Sequence, residues 1–187
     1  MVKLLKIAEL GEEVLFQKAK PVKDVNDPEI QELIDEMIAT LKHDNGVGLA
    51  APQVFQSLRI IIVWSYPNPR YPDAPEFGPV AMINPEITVL SAKKVKGWEG
   101  CLSIPGIRGQ VYRYESIKVN FITRKGARQE ANFNGFVARI IQHEKDHLDG
   151  KLCFLNANED IKDLVTEKVW QKQMTEKWQK EKEKIKK

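Results

Sequence analysis

Residues 142–147, Gln-His-Glu-Lys-Asp-His, constrain this chain most, because they place two histidines four positions apart with a glutamate directly after the first. On an α-helix, residues four apart lie on the same face, so both imidazoles point in one direction. Two imidazoles on one helix face can bind a metal ion, and the adjacent Glu144 is placed to take a proton from water beside that ion. The pattern therefore predicts a helix that carries metal-assisted hydrolysis of an amide or an ester.

Apolar residues surround this motif and indicate that its helix is buried. Residues 136–138 and 140–141 precede it, and Leu148 follows it. A helix that is apolar nearly all round lies inside a protein, where imidazole and carboxylate groups are unfavourable unless they have partners. A bound metal ion would be such a partner. The alternative, an exposed helix with two unrelated histidines, fits these flanking residues poorly.

A third metal ligand has to come from elsewhere in the chain. A catalytic metal site usually takes three protein ligands and keeps one position open for water. Cys101 lies between turn residues in the segment 99–106, whereas Cys153 lies in the apolar run 152–155 and is expected in the core. The residues around Cys101 leave two interpretations open, a metal ligand or a core cysteine.

Residues 46–53, Gly-Val-Gly-Leu-Ala-Ala-Pro-Gln, resemble a phosphate-binding loop only weakly. The segment lacks the third glycine of the dinucleotide-binding pattern, and no Lys-Ser or Lys-Thr pair follows it as in a P-loop, so we expect no nucleotide. One interpretation is a helix end followed by a tight loop. The other is a loop that lets a substrate backbone come close, with the side-chain amide of Gln53 facing it.

Taken in this order, the three segments resemble the signature of the peptide deformylases. That family carries Gly-x-Gly-x-Ala-Ala-x-Gln, Glu-Gly-Cys-x-Ser and Gln-His-Glu-x-x-His, and residues 46–53, 99–103 and 142–147 match every fixed position. The resemblance covers roughly residues 1 to 155. Lys145 departs from the apolar residue that relatives often have, but on a helix it faces away from both histidines. The resemblance implies a hydrolase that removes the formyl group from the formyl-methionine of nascent polypeptides and releases formate.

The resemblance also implies how the catalytic site is composed. The expected ligands of one divalent metal ion are Cys101, His143 and His147. Water would take the fourth position, Glu144 would act as general base and general acid, and the Gln53 amide and the Leu102 backbone N–H would stabilise the negative formyl oxygen. The family typically works with ferrous iron, and zinc, nickel or cobalt also suit mixed thiolate and imidazole ligation.

Further residues are expected around this centre. Those expected to contact the peptide backbone, the methionine side chain or the cleft entrance are Val47, Gly48, Gly100, Phe136, Ile140 and Arg108. Gln142 and Asp146 are expected to orient the metal ligands, since metal-bound imidazoles usually donate their second N–H to an acceptor. Glu99 is expected to pair with Arg113 and brace the loop that carries Cys101. Arg108 and the supporting residues could equally be ordinary surface groups.

Periodicity and turn residues predict an α+β fold. Pro28 and the apolar spacing after it predict a helix that ends near Asn45 and Gly46, and Asn134 is placed to cap the motif helix. The predicted strands are 59–64, 80–89, 93–98, 115–123 and 128–133, with a proline-rich loop over 67–79. Because the strands precede the motif helix, we expect a mostly antiparallel sheet. The resemblance to the peptide deformylases implies small sheets packed around that helix. A last helix is predicted from Asn158, which gives a catalytic domain over 1–158 and a lysine-rich helix or tail over 159–187.

Charge separates the tail from the rest of the chain. The net charge is +3, whereas residues 162–187 hold nine lysines and five acids, so the remainder is slightly acidic. These lysines predict either a solvated helix with Glu/Lys pairs or, as in some bacterial family members, a helix that contacts ribosomal RNA near the nascent-chain exit. Two cysteines without a disulfide framework, no signal segment and no apolar stretch of membrane-spanning length favour a cytoplasmic protein that binds no membrane.

Two other functions could use the same motif helix. A zinc endopeptidase usually takes its third ligand downstream of the second histidine, whereas Cys101 lies upstream. A non-catalytic metal-binding module would close the site with a fourth protein ligand and would leave Glu144 and Gln53 without a purpose. We therefore expect deformylation of peptides that begin with formyl-methionine.

Overall fold

The first helix begins and ends where capping residues satisfy its backbone. The computed structural model describes residues 2–152 and 161–185, and its helices are α1 (Pro28–His43), α2 (Gly135–Leu148) and α3 (Glu167–Ile185). Asp27 caps α1 by accepting a hydrogen bond from the backbone N–H of Glu29 at 2.9 Å. At the other end, the Gly46 N–H donates to the Leu41 carbonyl at 2.9 Å, at the position where the sequence predicts a helix stop.

The strands form two antiparallel sheets. In chain order they are β1 (Gly48–Ala50), β2 (Ile60–Ser65), β3 (Phe77–Val89), β4 (Lys94–Cys101), β5 (Ile104–Tyr114), β6 (Ser116–Ile122), β7 (Arg128–Asn134) and β8 (Leu164–Thr166). One sheet has the order β1-β2-β3-β6-β7 and the other β4-β5-β8, and every pairing is antiparallel. The predicted α+β class with antiparallel sheets is confirmed.

Helix α2 packs against the five-stranded sheet, as its apolar surroundings predict. Val137, Ala138, Ile141 and Leu148 share one buried cluster with side chains from β2, β3 and β6. Each fully buried aliphatic side chain of this size stabilises the fold by about 1.5–3 kcal/mol relative to exposure. Asn134 precedes the helix as predicted, but its side chain accepts a hydrogen bond from Ser116 instead of capping the helix. Packing on the sheet fixes the direction in which the motif side chains of α2 project.

Strand β5 is absent from the sequence prediction because Pro105-Gly106 indicates a turn. The chain turns instead at residues 102–103, between β4 and β5. The pairing register of β4 and β5 shifts after Gly100, so that residues 105–107 form a bulge within β5. Gly106 has a φ of 77°, which glycine adopts without strain, and the Pro-Gly pair is therefore accommodated inside the strand.

Other boundaries also differ from the prediction. Residues 77–79 belong to β3 and not to the proline-rich loop, and residues 161–166 form a 3-10 turn followed by β8 before α3 begins.

The predicted helix start at Asn158 and the predicted core position of Cys153 lie outside the described residues. The division into a catalytic domain and a tail stays a prediction, and β8 joins the sheet that contains β4 and β5. Within the described part of the chain, no helix has both the length and the apolar character needed to cross a membrane.

Candidate active site

Helix α2 and the end of β4 bring three metal-binding side chains together. His143 and His147 lie one turn apart on α2, and Cys101 is the last residue of β4. Their ligand atoms all lie within 4.8 Å of one another, and Cys101 Sγ is 3.3 Å from His147 Nε2. Ligand atoms around a tetrahedral ion with bonds of ordinary length are separated by about 3.3–3.8 Å. The separation of Cys101 and His147 falls in this range, and all three predicted ligands lie close enough together to hold a single ion.

The groups around this centre fit a catalytic metal ion. One thiolate and two imidazoles suit zinc, iron, nickel or cobalt. Glu144 is buried beside the ligands, and its Oε2 atom has no hydrogen-bond partner among the described residues. A buried carboxylate oxygen without a partner is unfavourable unless water or an ion supplies one. A carboxylate that interacts with His143, His147 and Cys101 is placed to accept a proton from water in metal-assisted hydrolysis.

Glu144 is placed by close contact with Gly48 on the edge strand β1. A Cβ atom at position 48 would overlap Glu144 Oε1 and would come within 2.8 Å of Ile140 Cγ2. Glycine at this position therefore makes room for the carboxyl group. Burial raises the pKa of Glu144 to about 7, although His143 and His147 act in the opposite direction. A carboxyl with such a pKa can both accept and donate a proton near neutral pH.

Glu99 orients one of the histidines. Its Oε2 atom lies 2.9 Å from His143 Nδ1, which leaves the other ring nitrogen of His143 to face the metal-binding groups. Burial alone would raise the pKa of Glu99, but hydrogen bonds from His143 and Arg113 outweigh burial and hold it well below its usual range. Glu99 therefore remains a carboxylate and accepts from His143, a role for which the sequence analysis named Gln142 and Asp146 instead.

Two arginines hold Glu99 in place. Arg113 donates to both Glu99 oxygens at 2.9 Å and donates a third hydrogen bond to Asp146 at 2.6 Å. Arg139 donates to Glu99 Oε1 at 2.8 Å. Charge-assisted and bidentate hydrogen bonds of this kind are stronger and more directional than neutral ones. Glu99 and Arg113 thus form the pair expected from the sequence, whereas Asp146, expected to orient a histidine, joins the network by accepting from Arg113.

Gln142, the fourth predicted supporting residue, does not contact a ligand side chain. Its amide donates to the Tyr114 carbonyl at 2.9 Å and accepts from the Tyr114 N–H at 3.0 Å. Gln142 therefore fastens α2 to the end of β5. His147 is held differently from His143, since its Nδ1 atom has no hydrogen-bond partner within the described residues.

Gln53 presents its side-chain amide to the metal-binding groups. Its Nε2 atom donates to Cys101 Sγ at 3.6 Å and to Ser103 Oγ at 3.2 Å, and its Oε1 atom accepts from the Ala50 N–H at 2.8 Å. The last bond fixes which end of the amide faces the cysteine. Leu102, predicted to contribute its backbone N–H, lies in the turn directly after Cys101 and borders the same space.

A cleft of about 370 Å³ opens over these groups. The residues predicted to contact the peptide all line it, namely Val47, Gly48, Gly100, Arg108, Phe136 and Ile140. The cleft lies between β1, the edge of the five-stranded sheet, and β4, the edge of the smaller sheet. Edge strands carry unpaired backbone groups that can bind an extended peptide.

Several residues of this cleft were missed in the sequence analysis. They are Tyr71, Arg139 and Glu167, which line it, and Trp170, which packs against Arg108. Arg139 alone had a local signal, because an arginine four residues before His143 on an otherwise apolar helix needs partners. The others come close to the site only through long-range pairing of the chain, which no short motif reveals.

Comparison with protein families gives a match to the model described as polypeptide deformylase over residues 4–162. Peptide deformylase 2 of Nostoc sp. is 52% identical over 172 residues, which cover 92% of this chain and 96% of the relative. Peptide deformylase 2 of Bordetella bronchiseptica is 45% identical over 146 residues, which cover 78% of this chain and 83% of the relative.

Solved structures show the same similarity. The class I type b peptide deformylase of Acinetobacter baumannii, bound to Met-Ala-Ser, is 50% identical, with a TM-score of 0.82 and coverage of 84% of this chain and 100% of that chain. A peptide deformylase of Synechococcus elongatus in complex with actinonin is 34% identical, with a TM-score of 0.75 and coverage of 87% of this chain and 86% of that chain. The chain therefore belongs to the peptide deformylase family, whose members are metal-dependent hydrolases that remove the N-terminal formyl group from nascent polypeptides.

Proposed function

We propose that Cys101, His143 and His147 hold one divalent cation and that Glu144 moves the protons during hydrolysis of formyl-methionyl peptides. The observation that carries this proposal is the convergence of one sulfur and two ring nitrogens beside a buried carboxylate oxygen that lacks a partner among the described residues. A divalent cation bound there would supply Lewis acidity, which polarises a carbonyl oxygen and makes water more acidic.

Glu144 acts first as a general base and then as a general acid. Its carboxylate takes one proton from the water that attacks the formyl carbon. It then gives a proton to the amide nitrogen as the carbon–nitrogen bond breaks, so that the products are formate and a peptide with a free N-terminal methionine. The pKa of about 7 suits both roles. Proton transfer by a positioned side chain typically accelerates a reaction by roughly 10²–10⁴.

Gln53 and the backbone N–H of Leu102 stabilise the negative charge that develops on the formyl oxygen. The hydrogen bond from Ala50 to Gln53 Oε1 keeps the amide N–H groups directed toward Cys101. A donor oriented before the reaction needs no reorganisation when charge develops, and removal of one such donor typically costs about 3 kcal/mol.

The peptide lies along the cleft as an additional strand. Val47, Gly48 and Gly100 offer backbone groups on its two sides, which bind an extended chain regardless of its sequence. Phe136 and Ile140, both on α2, line the pocket for the methionine side chain. The Acinetobacter relative was solved with Met-Ala-Ser bound, and this supports a product with an N-terminal methionine for the present chain.

Formate release from formyl-Met-Ala-Ser, measured under anaerobic conditions together with the metal content of the same sample, tests the assignment. Acetyl-Met-Ala-Ser serves as the control substrate, and a peptide with only an internal amide bond tests for endopeptidase activity. Glu144→Gln should keep the metal and lose roughly 10²–10⁴ in kcat. Glu130→Gln, which removes an exposed carboxylate on β7, should behave as the native chain. Formate release that does not depend on Glu144 would refute the proposed role.

Ferrous iron is our proposal for the native metal, on the ground of the family resemblance and the mixed sulfur and nitrogen donor set. Zinc, nickel and cobalt suit the same ligands. Anaerobic reconstitution of the apoprotein with each ion in turn tests which metal supports activity. The iron form should be the most active and should lose activity in air. The nickel and zinc forms should be unaffected by air. Equal activity of the iron and zinc forms would argue against iron.

A separate proposal concerns the lysine-rich face of α3 and the place where the enzyme acts. We infer that it acts in the cytoplasm, where nascent chains emerge, and that α3 contacts ribosomal RNA. The exposed Lys168, Lys172 and Lys180 offer phosphate contacts, and the interleaved acids favour the alternative of a solvated helix. Sedimentation with ribosomes should weaken when these lysines are changed to glutamine. Unchanged sedimentation would leave the solvated helix as the better interpretation.

A further inference from the structure

Arg108 is a buried cation in the wall of the cleft. Its side chain is only 4% exposed, yet it borders the same space as Gly48 and Glu144. Its Nε and Nη2 atoms donate to the two Glu167 oxygens at 2.6 and 3.2 Å, and its Nη1 atom donates to the Tyr71 hydroxyl at 2.6 Å. A guanidinium group paired with a carboxylate through two of its nitrogens is held in one orientation.

This pair connects α3 to the proposed methionine pocket. Glu167 is the first residue of α3, and the ring of Trp170 lies 4.4 Å from the guanidinium carbon of Arg108. Tyr71, which accepts from Arg108, packs against Phe136 with ring centroids 4.8 Å apart. The C-terminal helix therefore contributes directly to the wall of the cleft. It does so through a charged residue and an aromatic residue outside the three sequence motifs.

Glu167 is the carboxylate that offsets the charge of Arg108. Two other arginines line the cleft, but Arg139 pairs with Glu99, and Arg70 donates to the Asn45 carbonyl. The side chain of Glu167 is 30% exposed and lines the cleft, so a peptide bound there meets the Arg108–Glu167 pair and not an isolated cation. Neutralising Glu167 would leave Arg108 as a positive charge at low dielectric, where charges act strongly on a ligand.

We infer that Glu167 is a specificity-determining residue: by pairing with Arg108 it makes the cleft tolerant of either charge in the peptide residues that follow methionine. This inference rests on the proposed function and extends it to the choice of substrate. Backbone binding along the edge strands imposes little sequence preference. An unbalanced cation in the wall would impose one, because it would attract acidic residues and repel basic ones.

Two peptides that differ only in charge test this inference. Formyl-Met-Ala-Glu and formyl-Met-Ala-Lys, both amidated at the C-terminus, are compared by kcat/KM with the metal-loaded full chain. The native chain should treat them within about threefold of each other. Glu167→Gln should raise the ratio in favour of the glutamate peptide by about three- to tenfold at low salt. The preference should shrink as the salt concentration rises, because ions screen the unpaired charge.

Variants at two other positions distinguish an effect of the Glu167 charge on the bound peptide from a general effect of the substitution on the structure. Glu176→Gln removes a carboxylate from the exposed part of α3, outside the residues that line the cleft, and should keep the native ratio. Arg108→Gln leaves Glu167 unpaired and should shift the ratio in the opposite direction, toward the lysine peptide. The double variant lacks both charges and should return to the native ratio. A purely structural role for the pair would change both peptides equally in every variant.

The outcomes distinguish this inference from the proposed function. If the native chain releases formate from neither peptide, the proposed function fails. If the native chain is active and both Glu167→Gln and Arg108→Gln keep the native ratio, the inference is wrong while the proposed function stands. Arg108→Gln is expected to shift the ratio of the two kcat/KM values in the opposite direction. This result alone can support or overturn the inference if Glu167→Gln folds poorly.

Discussion

Arg139 and His143, one turn apart on α2, are joined through a single carboxylate on β4. Arg139 Nη1 donates to Glu99 Oε1 at 2.8 Å, while Glu99 Oε2 lies 2.9 Å from His143 Nδ1. Arg139 also donates to the carbonyls of Val95 and Val111 at 2.6 and 2.9 Å. The helix that carries two of the proposed metal ligands is therefore fastened to the strand that carries the third by a side chain that no motif includes.

Arg139→Met should loosen this attachment. The substitution removes the charge-assisted hydrogen bond to Glu99 and leaves the carbonyls of Val95 and Val111 without their donor. A hydrogen bond from a charged group contributes about 1.5–3 kcal/mol. We expect the free energy of unfolding of the metal-loaded protein to fall by about 2–4 kcal/mol in urea titration. Lys93→Met, which breaks an exposed ion pair with Glu115, is the control and should cost under about 1 kcal/mol. Equal effects of the two substitutions would contradict a structural role for Arg139.

Glu99→Gln should weaken metal retention. A carboxylate that accepts from a metal-bound imidazole fixes the ring and increases its basicity, and loss of such an acceptor typically lowers metal affinity 10- to 100-fold, in order-of-magnitude terms. Competition with a chelator, followed by metal analysis, measures this change. Glu115→Gln removes a partly exposed carboxylate remote from the cleft-lining residues and should leave affinity unchanged. Metal retention equal to that of the native chain would remove Glu99 from the supporting network.

Helix α2 and the position of the proposed ligands on it could be predicted from sequence because their signals are local. Neighbouring positions alone reveal the four-residue spacing of the two histidines, the apolar residues on either side of them and the turn residues beside Cys101. The boundaries of α1 were predictable for the same reason, since Asp27, Pro28 and Gly46 act on the helix ends directly. Local signals left two interpretations each for Cys101 and for residues 46–53. The resemblance to a family decided between them, because it assigns both segments to the same site as the helix motif.

Strands β5 and β8 could not be predicted because their pairing depends on distant parts of the chain. Pro105-Gly106 is a turn signal that a bulge in β5 accommodates, and the actual turn at residues 102–103 has no glycine or proline. The contact between Arg108 and Glu167 spans 59 positions and exists only because β8 pairs with β5 and places the start of α3 beside the cleft. Such a contact follows from tertiary structure and has no signature in a short window.

Gly48→Ala should impair catalysis more than metal binding. The new methyl group would overlap Glu144 Oε1 and Ile140 Cγ2, so the carboxyl has to move away from the reacting water. A displacement of about 1 Å at a reacting group can reduce kcat by roughly 10²-fold. Formate release and metal content measured on the same sample check this. Loss of metal in parallel with activity would show that Gly48 supports the ligands instead of Glu144.

Gln53→Ala should reduce kcat by roughly 10²–10³ with little change in KM, because the amide acts on charge that exists only in the transition state. Ser103→Ala removes only the hydroxyl that accepts from Gln53 at 3.2 Å, and its effect should stay below about tenfold. Steady-state kinetics with formyl-Met-Ala-Ser separate the two parameters. A rise in KM at constant kcat for Gln53→Ala would indicate ground-state binding and would contradict the proposed role.

Trp170→Ala should release α3 from the cleft wall. Trp170 is 3% exposed and packs on the Arg108 guanidinium, whereas its neighbour Val169 is 44% exposed. Truncation of a buried tryptophan typically costs about 3–5 kcal/mol, but because α3 lies at the edge of the fold the loss should appear mainly as local opening. Amide hydrogen exchange should therefore accelerate in residues 164–175 and in β5, while α2 stays protected. Val169→Ala, the matched control, should leave exchange in both segments unchanged. Exchange that accelerates equally in α2 would mean that Trp170 stabilises the whole domain. It would contradict the interpretation that α3 packs against the cleft as a unit that can open on its own.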